Sequence, residues 1–140
     1  MRENECYAYL RIIDFDCPPA EITGRIGVDP TATRTRGEPV KRGAHDRFVA
    51  QNEWQLRSRR PPTDDPELHI RDVVAQLQGR EEAVREIARE HKVVMQCVGY
   101  FHHHDPGFSL DAVAIQGLAR CGASLDLDYY HLYGSGEESA

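Results

Sequence analysis

The residue types best suited to chemistry in this 140-residue chain sit in two short runs near its end. The first is His102-His103-His104-Asp105. On an extended strand His102 and His104 share a face, and two imidazoles spaced this way can chelate a metal, with Asp105 or His131 as a further ligand. Three adjacent histidines cannot all converge on one ion, and Pro106-Gly107 marks a surface turn directly after them. Strand-end histidines are therefore the favoured reading, and a metal site of His102, His104 and Asp105 is the alternative. The second run is Leu125-Asp126-Leu127-Asp128. Its carboxylates share a face about 6.6–6.8 Å apart, a spacing open to acid–base work or an oxygen-rich cation site. Alternation of Leu with Asp is more simply a half-exposed strand.

Other catalytic signatures are missing. There is no P-loop, dinucleotide fingerprint, nucleophile elbow or His-Glu-x-x-His pattern, and the serines have no nucleophile context. Cys6, Cys17, Cys97 and Cys121 form no Cys-x-x-Cys pair and show no zinc spacing. They read as small buried hydrophobes, with Cys17, in a turn, the most exposed to reagents. No cofactor is expected.

Charge is unevenly spread. The total is −6, yet residues 31–60 carry eight basic and three acidic groups, and residues 61–140 carry six and fourteen. The basic segment holds Arg34, Arg36, Lys41, Arg42, Arg47, Arg57, Arg59 and Arg60. Aromatic interleaving is nearly absent and the acidic remainder repels a polyanion, so nucleic acid is disfavoured as a partner. The basic segment is expected to meet the acidic helices or a protein partner. Arg2, Glu3, Glu5 and Arg11 fall where a secretory h-region would lie. The longest mostly apolar run, Val93 to Phe101, is far short of the roughly 20 residues a membrane span needs. A cytosolic protein without membrane contact is expected, either monomer or homodimer.

The elements that position these residues follow from periodicity. Strands are expected at 6–13, 48–57, 93–102 and 124–132, each alternating apolar with polar. A short helix follows Pro19, with Asp16 or Cys17 near its cap, and closes at Gly27. Asp65-Pro66-Glu67 opens a second helix carrying Ile70, Val73, Val74 and Leu77. A third begins at Glu81. The fourth is capped by Ser109, and its Gly117 suggests close packing on the sheet. Residues 31–47 read as a loop. Residues 1–133 are expected to form one domain, and 134–140 a disordered acidic tail.

The expected order is β-α-β-α-α-β-α-β, an α+β domain with about four strands in two layers. One sheet face collects Cys6, Ala8, Leu10, Ile12, Phe48, Ala50, Trp54, Leu56, Val93, Met95, Cys97, Phe101, Leu125, Leu127 and Tyr129, and must meet the helices. The other carries Tyr7, Tyr9, Arg11, Gln51, Glu53, Gln55, Arg57, Gln96, Tyr100, Asp126, Asp128 and Tyr130, with Ile13, Val94, Val98 and His102. A sheet covered on both sides would read as continuous apolar runs, so one face is expected to stay open.

Several motifs recur here in one order: Tyr7-Ala8-Tyr9-Leu10-Arg11-Ile12, Ile22-Thr23, Gly27-Val28-Asp29-Pro30, Arg36-Gly37-Glu38, Trp54, and Leu125 through Tyr130. Over about residues 5 to 131 the chain resembles the small bacterial family of domain of unknown function 4279. The resemblance implies a bacterial, cytosolic α+β domain and carries no activity over. An immunity-type role is an analogy only. The resulting expectation is a non-enzymatic protein-binding module. Its contact residues are Tyr7, Tyr9, Arg11, Arg34, Arg36, Tyr100, Asp126, Asp128 and Tyr130, of types that partner surfaces favour.

Overall fold

The computed structural model describes residues 2–40 and 47–133. Strand β1 (Glu5–Ile13) leads into α1 (Pro19–Ile26), then β2 (Ala32–Arg34), β3 (Glu53–Arg57), α2 (Pro66–Gln76), α3 (Glu81–Ala88), β4 (Lys92–Phe101), α4 (Ala112–Arg120) and β5 (Ser124–His131). The fold is α+β, with one strand more than the four expected. The five strands form one sheet in the order β2-β3-β1-β4-β5. The first three junctions are antiparallel, and β4–β5 is parallel.

The alternation expected for β1 is realised. Cys6, Ala8, Leu10 and Ile12 are no more than 3% exposed, and the intervening residues are half-buried. Leu10 stands between Leu56 and Met95, and Ile12 between Trp54 and Val93. The helices cover this side with Ile22 and Ile26, Ile70 and Val73, Val84 and Ile87, and Leu118, but leave Leu125 and Leu127, expected to meet them, 37% and 41% exposed on the edge strand β5. Trp54 is fully buried, and its indole N–H donates to Thr23 Oγ1 at 3.0 Å, tying α1 to β3. A buried indole donor left without that acceptor would cost about 1–3 kcal/mol.

Several boundaries differ from expectation. The segment read as a loop contains β2, which pairs Ala32 with Gln55 and Arg34 with Glu53. All three β2 residues are exposed, so the strand has no apolar face to announce it. The strand expected from residue 48 starts only at Glu53, and Phe48 and Ala50 are exposed rather than core. Phe48 instead bridges Pro39, in a hairpin where Val49 N–H donates to Glu38 and Val40 N–H to Arg47. The cap of α1 is Pro18, not Asp16 or Cys17. Asp111, not Ser109, caps α4: its carboxylate accepts from Ala114 N–H at 2.9 Å. Gly117 does permit a close approach, but to α2: a Cβ there would lie 2.4 Å from Val74 Cγ1. Gly27 takes φ 79°, the left-handed turn expected at the end of α1. The expected tail, 134–140, lies outside the described residues.

Candidate functional site

All the helices sit on the apolar side, so among the described residues the sheet's other face carries no helix. Strand register sets out its side chains in rows. One row runs Arg57, Tyr9, Gln96, Asp126 across β3, β1, β4 and β5. The next places Tyr7 beside Val98 and Asp128, and the row beyond places Glu5 beside Tyr100 and Tyr130. In the other direction, Gln55, Arg11, Val94 and Ser124 form a row.

The centre of this face is aromatic and ordered by contacts of its own. The Tyr7 and Tyr9 rings stack at 6.0 Å, and those of Tyr100 and Tyr130 at 5.1 Å with an interplanar angle of 9°. The Arg57 guanidinium lies 4.1 Å from the Tyr7 ring centroid, a cation–π contact. Tyr130 O–H donates to Asp128 at 3.0 Å, and this bond raises the phenol's pKa. Burial raises those of Tyr7 and Tyr9, so all three stay neutral donors at physiological pH. Val94, Gln96 and Val98 point to this face yet are at most 7% exposed. Each stands beside a long β1 side chain, Arg11, Tyr9 or Tyr7, that shields it.

Arg11 has a structural partner. Its guanidinium pairs at 2.8 Å with Glu53, which is buried and also accepts from Gln55. A buried carboxylate without its cation costs several kcal/mol, so Arg11 anchors the face from below. Tyr100 and Tyr130 are its most solvent-exposed aromatics, at 36% and 43%.

Six expected contact residues, Tyr7, Tyr9, Tyr100, Asp126, Asp128 and Tyr130, lie together on this face, with Arg11 beside them. Arg34 stands opposite Glu53 in the strand register, at the β2 margin of the face. Arg36 does not join them. It lies past the end of β2, ion-paired with Asp16 at 3.6 Å, and its backbone N–H donates to Asn52. Lys41 and Arg42 lie outside the described residues. Among the described residues, the last three arginines of the basic segment meet the acidic α2 region: Arg57 O accepts from Gln76 Nε2 at 3.0 Å, Arg59 N–H donates to Asp72, and Arg60 pairs with Asp64 at 2.7 Å. Arg57, which alternation along the expected strand 48–57 already puts on the open face, stands there beside Tyr9.

The histidine run has a different geometry. Asn4 Oδ1 accepts from the backbone N–H groups of His102 and His103, and Asn4 Nδ2 donates to His104 O. Asp105 pairs with His131 at 2.9 Å, and that hydrogen bond holds its carboxyl below the usual range. Among the described residues no three His, Cys, Asp or Glu side chains are gathered to hold a metal ion. The thiols are not activated either. Burial pushes Cys6 and Cys97 up to about 12 and Cys121 to about 11, and Cys17 is raised by burial and then by Glu21.

Sequence reasoning missed Asn52. It is 6% exposed; its amide donates to Phe15 O and Cys17 O, while its Oδ1 accepts from Arg36 N–H. It staples the turn after β1 to the hairpin. An isolated Asn in an exposed-looking run carries no sequence signal of this.

A family model described as Domain of unknown function (DUF4279) matches residues 4–132. The chain belongs to this family. The match spans every strand and helix described above, so the open face is part of the domain of unknown function 4279 itself. No curated protein and no solved structure matches the chain. No helix among the described residues is long and apolar enough to cross a membrane.

Proposed function

We propose that this domain is a non-enzymatic protein-binding module whose contact surface is the helix-free sheet face. The observation that carries this reading is the composition and order of that face. Four tyrosines in two stacked pairs occupy its middle, Arg57 and Arg34 its β3–β2 margin, and Asp126 and Asp128 its β5 margin. Tyr gives large contact area with few rotatable bonds lost, and the planar Arg fork pairs with carboxylates and stacks on aromatic rings, so both are enriched where contact energy is concentrated. The neutral phenols supply hydrogen bonds at the rim of an apolar contact.

The test compares two variants as affinity baits in lysate. Tyr9→Ala combined with Tyr100→Ala truncates the face without touching the Arg11–Glu53 pair. Val113→Asp, at a position 73% exposed on α4, is the control from the opposite side. A protein retained by the control and lost by the face variant supports the reading. A protein retained equally by both, or no protein enriched over beads together with a monomer in solution, overturns it.

A further inference from the structure

The inference here rests on the open face being a contact surface, and it names the occupant. We propose that a second copy of this chain packs on it, sheet against sheet, about a two-fold axis parallel to the strands and midway between β1 and β4.

The face is self-complementary about that axis and about no perpendicular one in its plane. Arg57 and Asp126 occupy opposite ends of one row, with Tyr9 and Gln96 between them. Rotation about an axis along the strands preserves height along each strand and exchanges the flanks. Strand β5 of one copy then lies over β3 of the other, and β4 over β1. Asp126 meets Arg57, and the Tyr7 and Tyr9 rings that cover Val98 and Gln96 in each copy face those of the other. Each contact occurs twice, because the interface is isologous. An in-plane axis across the strands would set β5 on β5 and Asp126 and Asp128 against their own copies. Like charges so placed are strongly disfavoured. The charge pattern therefore selects one docking geometry.

The area is that of a weak contact. Nine rows of β1 and β4 and the three rows that β3 and β5 share, at about 4.8 Å per strand and 3.4 Å per residue, give a footprint of about 390 Å² on each copy. The two footprints total about 800 Å², below the standard size of stable interfaces, which suits a weak, reversible dimer. Sheets stacked face to face lie about 10 Å apart with strands within about 30°. Tyrosine side chains from both copies fill that space.

The test is sedimentation of the full chain over about 1–200 µM, where a micromolar dimer passes from mostly monomer to mostly dimer. The expected species are the 15.9 kDa monomer and its dimer. Arg57→Glu and Asp126→Arg, each alone, should weaken dimerisation about tenfold or more, since each creates two like-charge contacts. The two together should restore it. As a second measurement, in a Cys17→Ser background, Arg57→Cys mixed with Asp126→Cys should form a disulfide-linked dimer under mild oxidation. Neither should do so alone, because the axis sets each position against the other.

A monomer throughout the range overturns the second copy as occupant. A dimer unmoved by both charge reversals, or crosslinking by either cysteine variant alone, overturns the docking geometry. A monomer that still loses an external partner on Tyr9→Ala with Tyr100→Ala removes this proposal and leaves the contact-surface reading standing. Loss of both removes both.

Discussion

Replacing Gly99 by alanine tests how the end of the sheet is packed. Gly99 lies in β4 between Cys6 of β1 and Tyr129 of β5, and the Phe101 ring folds back over it. A Cβ at this position would sit 2.4 Å from Phe101 Cζ, 2.8 Å from Cε2 and 3.1 Å from Cε1. Carbon atoms in ordinary contact are about 3.5–4.0 Å apart, so the ring must retreat by about 1 Å. It has nowhere free to go: Phe101 is 1% exposed and meets the Tyr129 ring edge to face at 4.7 Å. Overpacking of this kind costs about 1–3 kcal/mol. Alanine also restricts the unfolded chain, which returns about 0.4–1 kcal/mol. The expected net loss is about 1–2 kcal/mol, a fall of about 3–8 °C in Tm for a chain of this size. Urea and thermal unfolding followed by circular dichroism measure both. In a Phe101→Leu background the ring is gone, and the same Gly99→Ala change should cost little, giving a clear coupling in the double-mutant cycle. An unchanged or raised Tm for Gly99→Ala, or equal costs in the two backgrounds, would refute the packing argument.

Further expectations follow from the same contacts. Asn52→Ala removes three hydrogen bonds and leaves buried groups unpaired, so urea denaturation should show a loss of about 2–4 kcal/mol; a loss below about 0.5 kcal/mol contradicts the staple. Burial lowers the pKa of His69, which is 1% exposed, from its ordinary 6.5. The unfolded chain then binds more protons than the folded one just below pH 6.5, so stability is full above that pH and declines as acid takes it through the window. His69→Gln should flatten this decline in the denaturation midpoint, and parallel curves would exclude His69 as its source. Asp111→Ala should cost about 1 kcal/mol by removing the α4 cap, whereas Ser109→Ala should cost nearly nothing. A thiol reagent applied to native protein should reach half-buried Cys17 first, and Cys6, Cys97 and Cys121 only after unfolding; prompt labelling of all four disproves their burial.

The parts legible in advance were those carried by local periodicity. Alternation along β1 and β4 placed Leu10 and Met95 inward and Tyr9 and Tyr100 outward, because a strand turns successive side chains to opposite faces whatever its neighbours. The pattern failed where the chain has no buried side. The three residues of β2 are exposed, and its pairing with β3 lies in backbone hydrogen bonds that composition does not record. It failed again at Phe48, whose hydrophobicity suggested a core position that the hairpin denies it. Ser109 and Asp111 are both good caps by type, and only the backbone turn before Ala112 selects between them.

The candidate site divides along the same line. The tyrosines and aspartates of the open face were readable from β1, β4 and β5 taken one at a time. Alternation along 48–57 puts Arg57 on the same face, without saying which strand it stands beside. The uneven charge along the chain suggested two regions folded against one another; among the described arginines of the basic segment, those that contact the α2 region are Arg57, Arg59 and Arg60 at its end. Arg57 and Asp126 stand at opposite ends of one row of the sheet.

The sequence by itself therefore determined which residues face outward, since that depends on a two-residue period each strand carries within itself. The tertiary structure decided which outward residues stand side by side and at which margin each charge lies. Strand order and register arise from pairings between segments far apart in the chain, and no local pattern encodes them.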